Sequence, residues 1–188
     1  VSEELAWGCS GISTAIGVNN LGMLPILIAG SDEQKTAYGG RMADGSLCAY
    51  CVTEPEAGSD VAGINTTAVY KDGHYILNGG KTFITGATNA NFYTVLAYSD
   101  PGVREDRRAR YKGMSFFVVE RDSEGITVGK PFNKMGQHAS DTAEVIFDNV
   151  SIPETQMLGE PGTGFGTAMK VFDRSRPSVA AGAVGVAQ

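Results

Sequence analysis

The spacing of hydrophobic residues predicts helices at the start of the chain. Ser31 and Gln34 have the spacing of a capping box, which predicts a helix that runs to about Met42. Before it, apolar side chains recur every three to four positions, as on the buried face of a helix. These positions are Leu5, Ala6, Cys9, Ile12 and Ile16.

Residues 46 to about 152 show another pattern, of short runs rich in Val, Ile, Tyr, Phe and Thr that are separated by turn residues. Asp72-Gly73 indicates a tight hairpin turn, and Asn78-Gly79-Gly80 indicates a second turn. Many short strands with frequent turns predict a small antiparallel barrel or sandwich. The expected strands are Leu47–Thr53, Thr67–Lys71, Tyr75–Asn78, Lys81–Thr85, Phe92–Tyr98, Ser115–Glu120, Ile126–Val128 and Ala143–Phe147.

The pattern becomes helical again over residues 162–188, where we expect Pro177 to kink a helix or to start one. The charged run Arg104–Arg110 predicts an exposed loop between two strands. Because the chain begins and stops within helical patterns, we expect it to be an interior piece of a longer protein.

Composition and net charge limit the kinds of partner that the chain could bind. The 188 residues are 42% hydrophobic and 19% charged, and the formal net charge is -6. Nucleic acid is not expected as the main partner, because phosphate backbones are bound by a surplus of Lys and Arg. The longest apolar stretches are broken by Gly and Pro, so we expect no membrane span.

Cys48 and Cys51 form a C-x-x-C pair, for which a redox site or a zinc site has to be considered. The pair lies in a predicted strand, where residues three apart point to opposite faces. No second Cys or His pair at zinc spacing is present, since His74 and His138 lie apart. We therefore expect two buried cysteines and no metal site.

Three polar segments could bind a ligand. In the first, Tyr50–Asp60, a strand ends in a loop containing Pro and Gly. Such a loop can offer backbone N–H groups and the hydroxyls of Thr53 and Ser59. Taken alone, the segment is better explained as a strand followed by a capped turn.

In the second segment, Gly80–Gly86, alternation puts Phe83 and Thr85 on one strand face. There a ring could stack on a planar cofactor and a hydroxyl could bond one of its heteroatoms. The third segment, Phe172–Pro177, has two arginines and a serine that could hold phosphate or amide groups. A core Phe beside a surface Thr, and a solvated helix face, are the simpler interpretations of these segments taken singly.

Together the segments resemble the acyl-CoA dehydrogenase family. The stretch Y-C-V-T-E-P-E-A-G-S-D-V-A-G, followed by G-G-K-T-F-I-T-G, is similar to the flavin-binding signature of that family. The likeness continues through N-K-M-G-Q-H-A-S-D-T, L-G-E-P-G-T-G-F and F-D-R-S-R-P-S-V-A-A-G-A-V-G. It covers essentially the whole chain and is strongest to the medium-chain enzymes.

The resemblance implies an α+β fold in three parts. Residues 1–45 would end an N-terminal all-α domain, residues 46–152 would form a middle antiparallel β-barrel domain that binds flavin and acyl-CoA, and residues 153–188 would be a linker and the first helix of a C-terminal helical bundle. The implied activity is FAD-dependent dehydrogenation of a fatty acyl-CoA to the trans-2-enoyl-CoA in β-oxidation. The implied assembly is a homotetramer that passes electrons to electron-transfer flavoprotein, in the mitochondrial matrix of a eukaryote or the cytoplasm of a bacterium.

The same resemblance assigns residues to the site. Flavin contacts are expected from Tyr50, Cys51, Val52, Thr53, Gly58, Ser59, Phe83, Ile84 and Thr85, and substrate contacts from Ser59, Asp173, Arg174, Ser175 and Arg176. Ser175 occupies the place where some relatives have their catalytic glutamate. The base is therefore expected beyond Gln188, and this chain alone should be inactive.

Three positions depart from the family pattern. Phe83 stands where the medium-chain enzyme has Trp, Glu56 where glycine is usual, and His138 where arginine is usual. The departures at Glu56 and His138 leave open a second hypothesis, a non-catalytic relative that binds CoA or flavin. A third is an enzyme for another acyl class, such as short or branched chains, because the acyl pocket is built largely from helices outside this chain.

Overall fold

The computed structural model describes residues 1–188 and has helices at both ends of the chain and a β-sheet between them. The helices are α1 (Ser2–Ala29), α2 (Asp32–Ala43) and α3 (Gly164–Ala187). The strands are β1 (Cys48–Cys51), β2 (Thr67–Lys71), β3 (His74–Thr85), β4 (Phe92–Tyr98), β5 (Met114–Glu120), β6 (Ile126–Val128), β7 (Thr142–Pro153) and β8 (Met157–Leu158). This order confirms the predicted α+β class.

The eight strands form a sheet in the order β6-β7-β3-β2-β4-β5-β8, and β1 pairs with β4 outside this path. The sheet is not closed, so the expected barrel is an open one. It is also not purely antiparallel, because β1 runs parallel to β4, and Thr67 of β2 meets Tyr98 of β4 in parallel. Parallel neighbours are possible here because the long connection after β1, including the β2–β3 hairpin, returns the chain to the same end of the sheet.

The expected turn at Asn78-Gly79-Gly80 is wrong, since β3 runs without interruption from His74 to Thr85. A register shift between Leu77 and Gly79 marks a bulge instead. Gly79 has φ of +148°, and a side chain there would come within 2.5 Å of the Thr66 hydroxyl oxygen. This glycine therefore permits a close approach between two chain segments, rather than a reversal of the chain.

Other local predictions are confirmed. Asp72 and Gly73 both have positive φ, 49° and 83°, as a tight hairpin turn of this kind requires. The capping box is complete: the Gln34 backbone N–H donates to Ser31 Oγ at 3.2 Å, and the Ser31 backbone N–H donates to Gln34 Oε1 at 2.8 Å. Pro177 does not start a helix, because α3 continues through it.

The sheet has an apolar core on each face. One core consists almost entirely of side chains from the strands and includes Cys51 and Phe117. The other includes Cys48 and joins the sheet to all three helices, through residues such as Met23, Tyr38 and Ala168. The two cysteines belong to different cores, which confirms the prediction that both are buried and point to opposite faces of the strand.

Helix α1 packs against both β1 and α3, so it joins the two ends of the chain to the sheet. It is kinked at Cys9, where φ is -164° and ψ is 112°. Its contact with β1 is tight, since a side chain at Gly22 would lie 2.7 Å from the carbonyl oxygen of Cys48.

By length and composition alone, α1 could cross a membrane. Pro25, which was expected to break the apolar stretch, lies inside this helix. Core helices of soluble proteins and signal sequences pass the same test, so this property is weak evidence for a membrane span.

Candidate ligand-binding site

A buried ion pair fastens the loop after β1 to strand β3. Lys81 Nζ lies 2.8 Å from Glu54 Oε1, and the two side chains are 0% and 5% exposed. The Glu54 carboxylate also accepts hydrogen bonds from the backbone N–H groups of Asn65 (2.6 Å) and Thr66 (3.0 Å) and from the Thr66 hydroxyl (2.5 Å). One carboxylate therefore holds both the beginning and the end of this loop.

The surroundings of Glu54 keep its carboxyl group ionised. Burial acts to raise the pKa of Glu54, but the Lys81 ammonium and the hydrogen bonds together outweigh burial, so the pKa is lowered from its ordinary value. Burial lowers the pKa of Lys81, and the neighbouring carboxylate offsets only part of that effect. Neither charge has water as an alternative partner, so each depends on the other.

The first two sequence motifs lie side by side. The Thr82 backbone N–H donates to the carbonyl oxygen of Thr53 at 2.9 Å. The Lys81 ammonium donates to the carbonyl oxygen of Val52 at 3.2 Å. Val52 and Thr53, at the end of the strand in the first motif, are thus bonded to Lys81 and Thr82. These two residues immediately precede Phe83 in the second motif.

Strand β3 turns an aromatic ring outward at Phe83. This residue has φ of +56°, a left-handed conformation that is rare for a bulky side chain, and the register shifts between Lys81 and Ile84. The Phe83 side chain is 64% exposed, and its ring centroid lies 5.4 Å from that of Phe132. Ile84 is buried and Thr85 is half-buried.

Three of the expected flavin contacts have side chains in the cores. Cys51, Val52 and Ile84 are only 0%, 4% and 2% exposed. A ligand could meet these residues only through their backbone groups.

The Tyr50 hydroxyl is buried and has no hydrogen-bond partner in the protein. The ring stacks on Phe116 with centroids 5.8 Å apart and meets Phe172 edge-on at 6.4 Å. Burial raises the pKa of Tyr50, so the hydroxyl keeps its proton and remains a donor. A buried donor without a partner is rare in folded proteins and is a group that a bound ligand could satisfy.

We expect Tyr50→Phe to leave the stability of the ligand-free protein unchanged or to raise it by about 1 kcal/mol, because it removes a buried hydroxyl that bonds to nothing. The matched control is Tyr98→Phe, since the Tyr98 hydroxyl is buried and donates to the carbonyl oxygen of Ala62 at 2.9 Å. This control should lose about 1 kcal/mol. Thermal unfolding of both variants tests the difference, and equal losses would mean that the Tyr50 hydroxyl has a partner after all.

A cleft of about 550 Å³ separates the loop after β1 from helix α3, and we call it the loop–helix cleft. It brings together Thr53, Gly58 and Ser59 of the first motif with Arg176 of the third. The complete lining is Thr53, Gly58, Ser59, Asp60, Val61, Ala62, Arg107, Arg110, Tyr111, Phe165, Met169, Phe172 and Arg176.

Helix α3 offers the cleft one of its faces, because Phe165, Met169, Phe172 and Arg176 follow helical spacing. The other residues expected to hold substrate do not line the cleft. Asp173 and Arg174 are exposed on other sides of the helix, and the Ser175 hydroxyl donates to the carbonyl oxygen of Phe172 at 3.4 Å.

The connection between β4 and β5 contributes residues that the sequence patterns did not single out as a site. It is exposed, as predicted, but Arg107, Arg110 and Tyr111 line the cleft. Arg110 Nη2 lies 2.9 Å from both carboxylate oxygens of Asp60. Asp60 belongs to the first motif, but its side chain is 59% exposed, so its charge alone did not point to a cationic partner.

Glu56 and His138, two of the departures from the family pattern, lie outside the loop–helix cleft. Glu56 is exposed in the turn after β1. His138 is exposed and makes no ion pair, and its Nε2 lies 2.5 Å from the carbonyl oxygen of Lys134. No group of three or more His, Cys, Asp or Glu side chains is arranged to hold a metal ion.

The fold and these motifs define a member of the acyl-CoA dehydrogenase family. Residues 1–46 match the model of the acyl-CoA dehydrogenase N-terminal domain, and residues 49–150 match that of the acyl-CoA dehydrogenase middle domain. The chain therefore belongs to this family.

Several relatives are similar to this chain over nearly its whole length. A probable medium-chain specific acyl-CoA dehydrogenase 2, mitochondrial, of Caenorhabditis briggsae is 44% identical over 99% of this chain and 45% of its own length. The butyryl-CoA dehydrogenase structure from Megasphaera elsdenii is 37% identical with a TM-score of 0.90, over 98% of this chain and 47% of that one. An acyl-CoA dehydrogenase from Bacillus anthracis, complexed with FAD, is 34% identical with a TM-score of 0.85, over 96% and 30% of the two chains. The chain thus spans about half the length, or less, of these relatives.

Proposed function

We propose that the protein containing this chain is an FAD-dependent acyl-CoA dehydrogenase that oxidises a fatty acyl-CoA to the trans-2-enoyl-CoA. The observation that carries the proposal is the meeting of three motifs at Thr53, which is bonded to the residue before Phe83 on one side and faces Arg176 across the loop–helix cleft on the other. A flavin beside Phe83 and an acyl-CoA thioester in the loop–helix cleft would lie next to each other.

The residues present fit a flavin. The exposed Phe83 ring offers a flat apolar surface, and the neighbouring Thr85 hydroxyl can donate or accept a hydrogen bond. The strained backbone of Phe83 supports the same assignment, since such conformations concentrate at functional sites. The Tyr50 hydroxyl adds a donor that has no partner within the protein.

FAD, when bound, would supply the acceptor for the hydride that leaves the β-carbon, while the α-proton goes to a base. We propose a glutamate outside this chain as that base, because the only carboxylate that lines the cleft is Asp60, which Arg110 already engages. This chain would bind and orient the reactants: Ser59 and Arg176 would hold the CoA part, and the loop fastened by Glu54 would keep Ser59 in place.

We also propose the other properties that membership of the family implies. We propose that the middle region, residues 46–152, is the flavin- and substrate-binding domain, and that the protein works as a homotetramer in fatty acid β-oxidation with electron-transfer flavoprotein as its electron acceptor. The name of the nematode relative supports a mitochondrial location if the source is a eukaryote. A bacterial source would place the protein in the cytoplasm.

The test is a visible spectrum of the purified protein, expressed from its complete reading frame, as octanoyl-CoA is added. A yellow protein that bleaches supports the proposal. A colourless protein contradicts the assignment of FAD, and a yellow protein that no acyl-CoA bleaches favours the non-catalytic relative.

A pair of variants makes the test specific to the proposed flavin surface. Phe83→Ala should reduce the flavin that co-purifies with the protein, because the exposed ring is lost. Tyr70→Ala removes another exposed ring, 50% exposed on β2, and should retain the full flavin content. Equal flavin content in both variants would count against Phe83 as a flavin contact.

A further inference from the structure

The buried Lys81 side chain contacts a backbone group of the site as well as its counter-ion. Its ammonium donates to the carbonyl oxygen of Val52 at 3.2 Å and to the Glu54 carboxylate at 2.8 Å. The Lys81 side chain is 0% exposed, so water does not compete for these bonds. A positive charge therefore lies directly against the peptide group that joins Val52 to Thr53.

The N–H end of this peptide group is free to bind a ligand. The Thr53 backbone N–H donates to no acceptor within the protein, and Thr53 is half-buried at the edge of the loop–helix cleft. The carbonyl oxygen of Thr53 accepts a hydrogen bond from the Thr82 N–H at 2.9 Å. This bond fixes Thr53 beside the proposed flavin surface, because Thr82 immediately precedes Phe83.

A cation at the carbonyl oxygen of a peptide group strengthens the N–H of the same group as a donor. The C=O and the N–H share electrons by resonance, so a charge-assisted hydrogen bond to the oxygen withdraws electrons from the nitrogen. The effect is strongest in buried surroundings, where the dielectric constant is low. The Thr53 N–H should therefore favour a ligand atom that gains negative charge.

Reduction of a flavin adds negative charge to its ring, and charged or polar groups of the protein near the ring nitrogens tune this step. A donor that binds the reduced ring more strongly than the oxidised ring raises the reduction potential. The negative charge of Glu54 does not cancel the effect of Lys81 on the Val52–Thr53 peptide group. The Glu54 carboxylate makes no hydrogen bond with that group, and its other donors are Asn65 and Thr66.

We propose that Lys81 is a positioning residue that raises the reduction potential of the bound FAD by polarising the Val52–Thr53 peptide group. This inference rests on the proposed function and goes beyond the fastening of the loop by Glu54. Loss of the ammonium should weaken the binding of reduced FAD more than that of oxidised FAD. The potential reports the ratio of these two affinities, so structural damage that weakens both alike would leave it unchanged.

The experiment measures the two-electron potential of FAD in the protein expressed from its complete reading frame and in two double variants. These are Glu54→Gln/Lys81→Met and Glu54→Gln/Lys81→Gln. Each double variant loses one positive and one negative charge, so its net charge equals that of the parent. The second variant keeps a neutral donor at position 81, whereas the first has none.

We expect the affinity ratio of reduced to oxidised FAD to fall roughly tenfold in Glu54→Gln/Lys81→Met, which lowers the potential by about 30 mV. It should fall only about threefold in Glu54→Gln/Lys81→Gln, because a neutral donor polarises the peptide group less. The control, Arg41→Met/Glu120→Gln, removes an ion pair of 2.6 Å whose residues do not line the cleft, and it should keep the parent's potential.

Equal potentials in the parent and the double variants at positions 54 and 81 would overturn the inference and leave the proposed function intact. An equal fall in the control would overturn it as well. If the methionine variant does not fold, the glutamine variant decides by the same comparison. Failure of both to fold or to bind FAD would assign the pair to the structure of the site alone and overturn the inference. A parent protein without FAD would overturn the proposed function too.

Discussion

Replacement of Lys81 by Met should lower the stability of the protein by about 3–5 kcal/mol, because it leaves the Glu54 carboxylate buried without its counter-ion. The remaining hydrogen bonds from Asn65 and Thr66 cannot compensate for the lost charge. The loop after β1 is held by this carboxylate, so the variant should also retain less flavin. Thermal unfolding and the absorbance of the purified protein measure the two effects.

Two further variants test this explanation. Lys35→Met removes an ion pair with Asp32 whose side chains are 37% and 96% exposed, and it should cost less than about 1 kcal/mol. The double variant Glu54→Gln/Lys81→Met removes both charges and keeps an acceptor for Thr66, so it should be more stable than Lys81→Met alone. A double variant that is no better would show that the charge of Glu54 is not the source of the loss.

Replacement of Gly22 by Ala should destabilise the protein by about 1–3 kcal/mol through steric overlap between α1 and β1. The added methyl group would meet the backbone oxygen of Cys48 at 2.7 Å, and neither backbone can yield easily. The urea midpoint should therefore fall. The displaced strand, β1, contains Tyr50 and is followed by Thr53. The flavin content of the purified protein should therefore fall as well.

Gly17→Ala is the matched control on the same helix, since nothing lies within 4 Å of a side chain at that position. It should raise stability by up to about 1 kcal/mol, because alanine favours a helix over glycine. If Gly22→Ala were also stabilising, the close contact between α1 and β1 would be absent in solution.

Structural features that depend only on residues adjacent in the chain could be predicted from the sequence. The capping box at Ser31 and the hairpin at Asp72-Gly73 require only a few adjacent residues, and both are present. Gly79 was misinterpreted because the same residue type serves turns and close contacts, and the contact here involves the distant Thr66. The parallel pairing of β1 and β4 likewise depends on the path of the whole chain, which local patterns do not contain.

The same distinction applies to the site. Thr53 and Ser59 were expected to contact the flavin, and Ser59 and Arg176 to contact the CoA part of the substrate; all three line one cleft. Arg107 escaped notice because a run of charged residues ordinarily indicates a solvated loop. The Lys81–Glu54 pair was missed for another reason, namely that a buried ion pair leaves no periodic signal in the sequence.

The packing of α1 against α3 has a consequence for the order in which the protein folds. A hydrogen bond between Glu3 and Gln188 joins positions 185 residues apart, with Nε2 to Oε1 at 2.7 Å. Closing so long a loop costs entropy before any contact compensates for it. We therefore expect the sheet to form before this contact and to bring the two helices near each other. The contact between α1 and α3 is then expected to form late in folding.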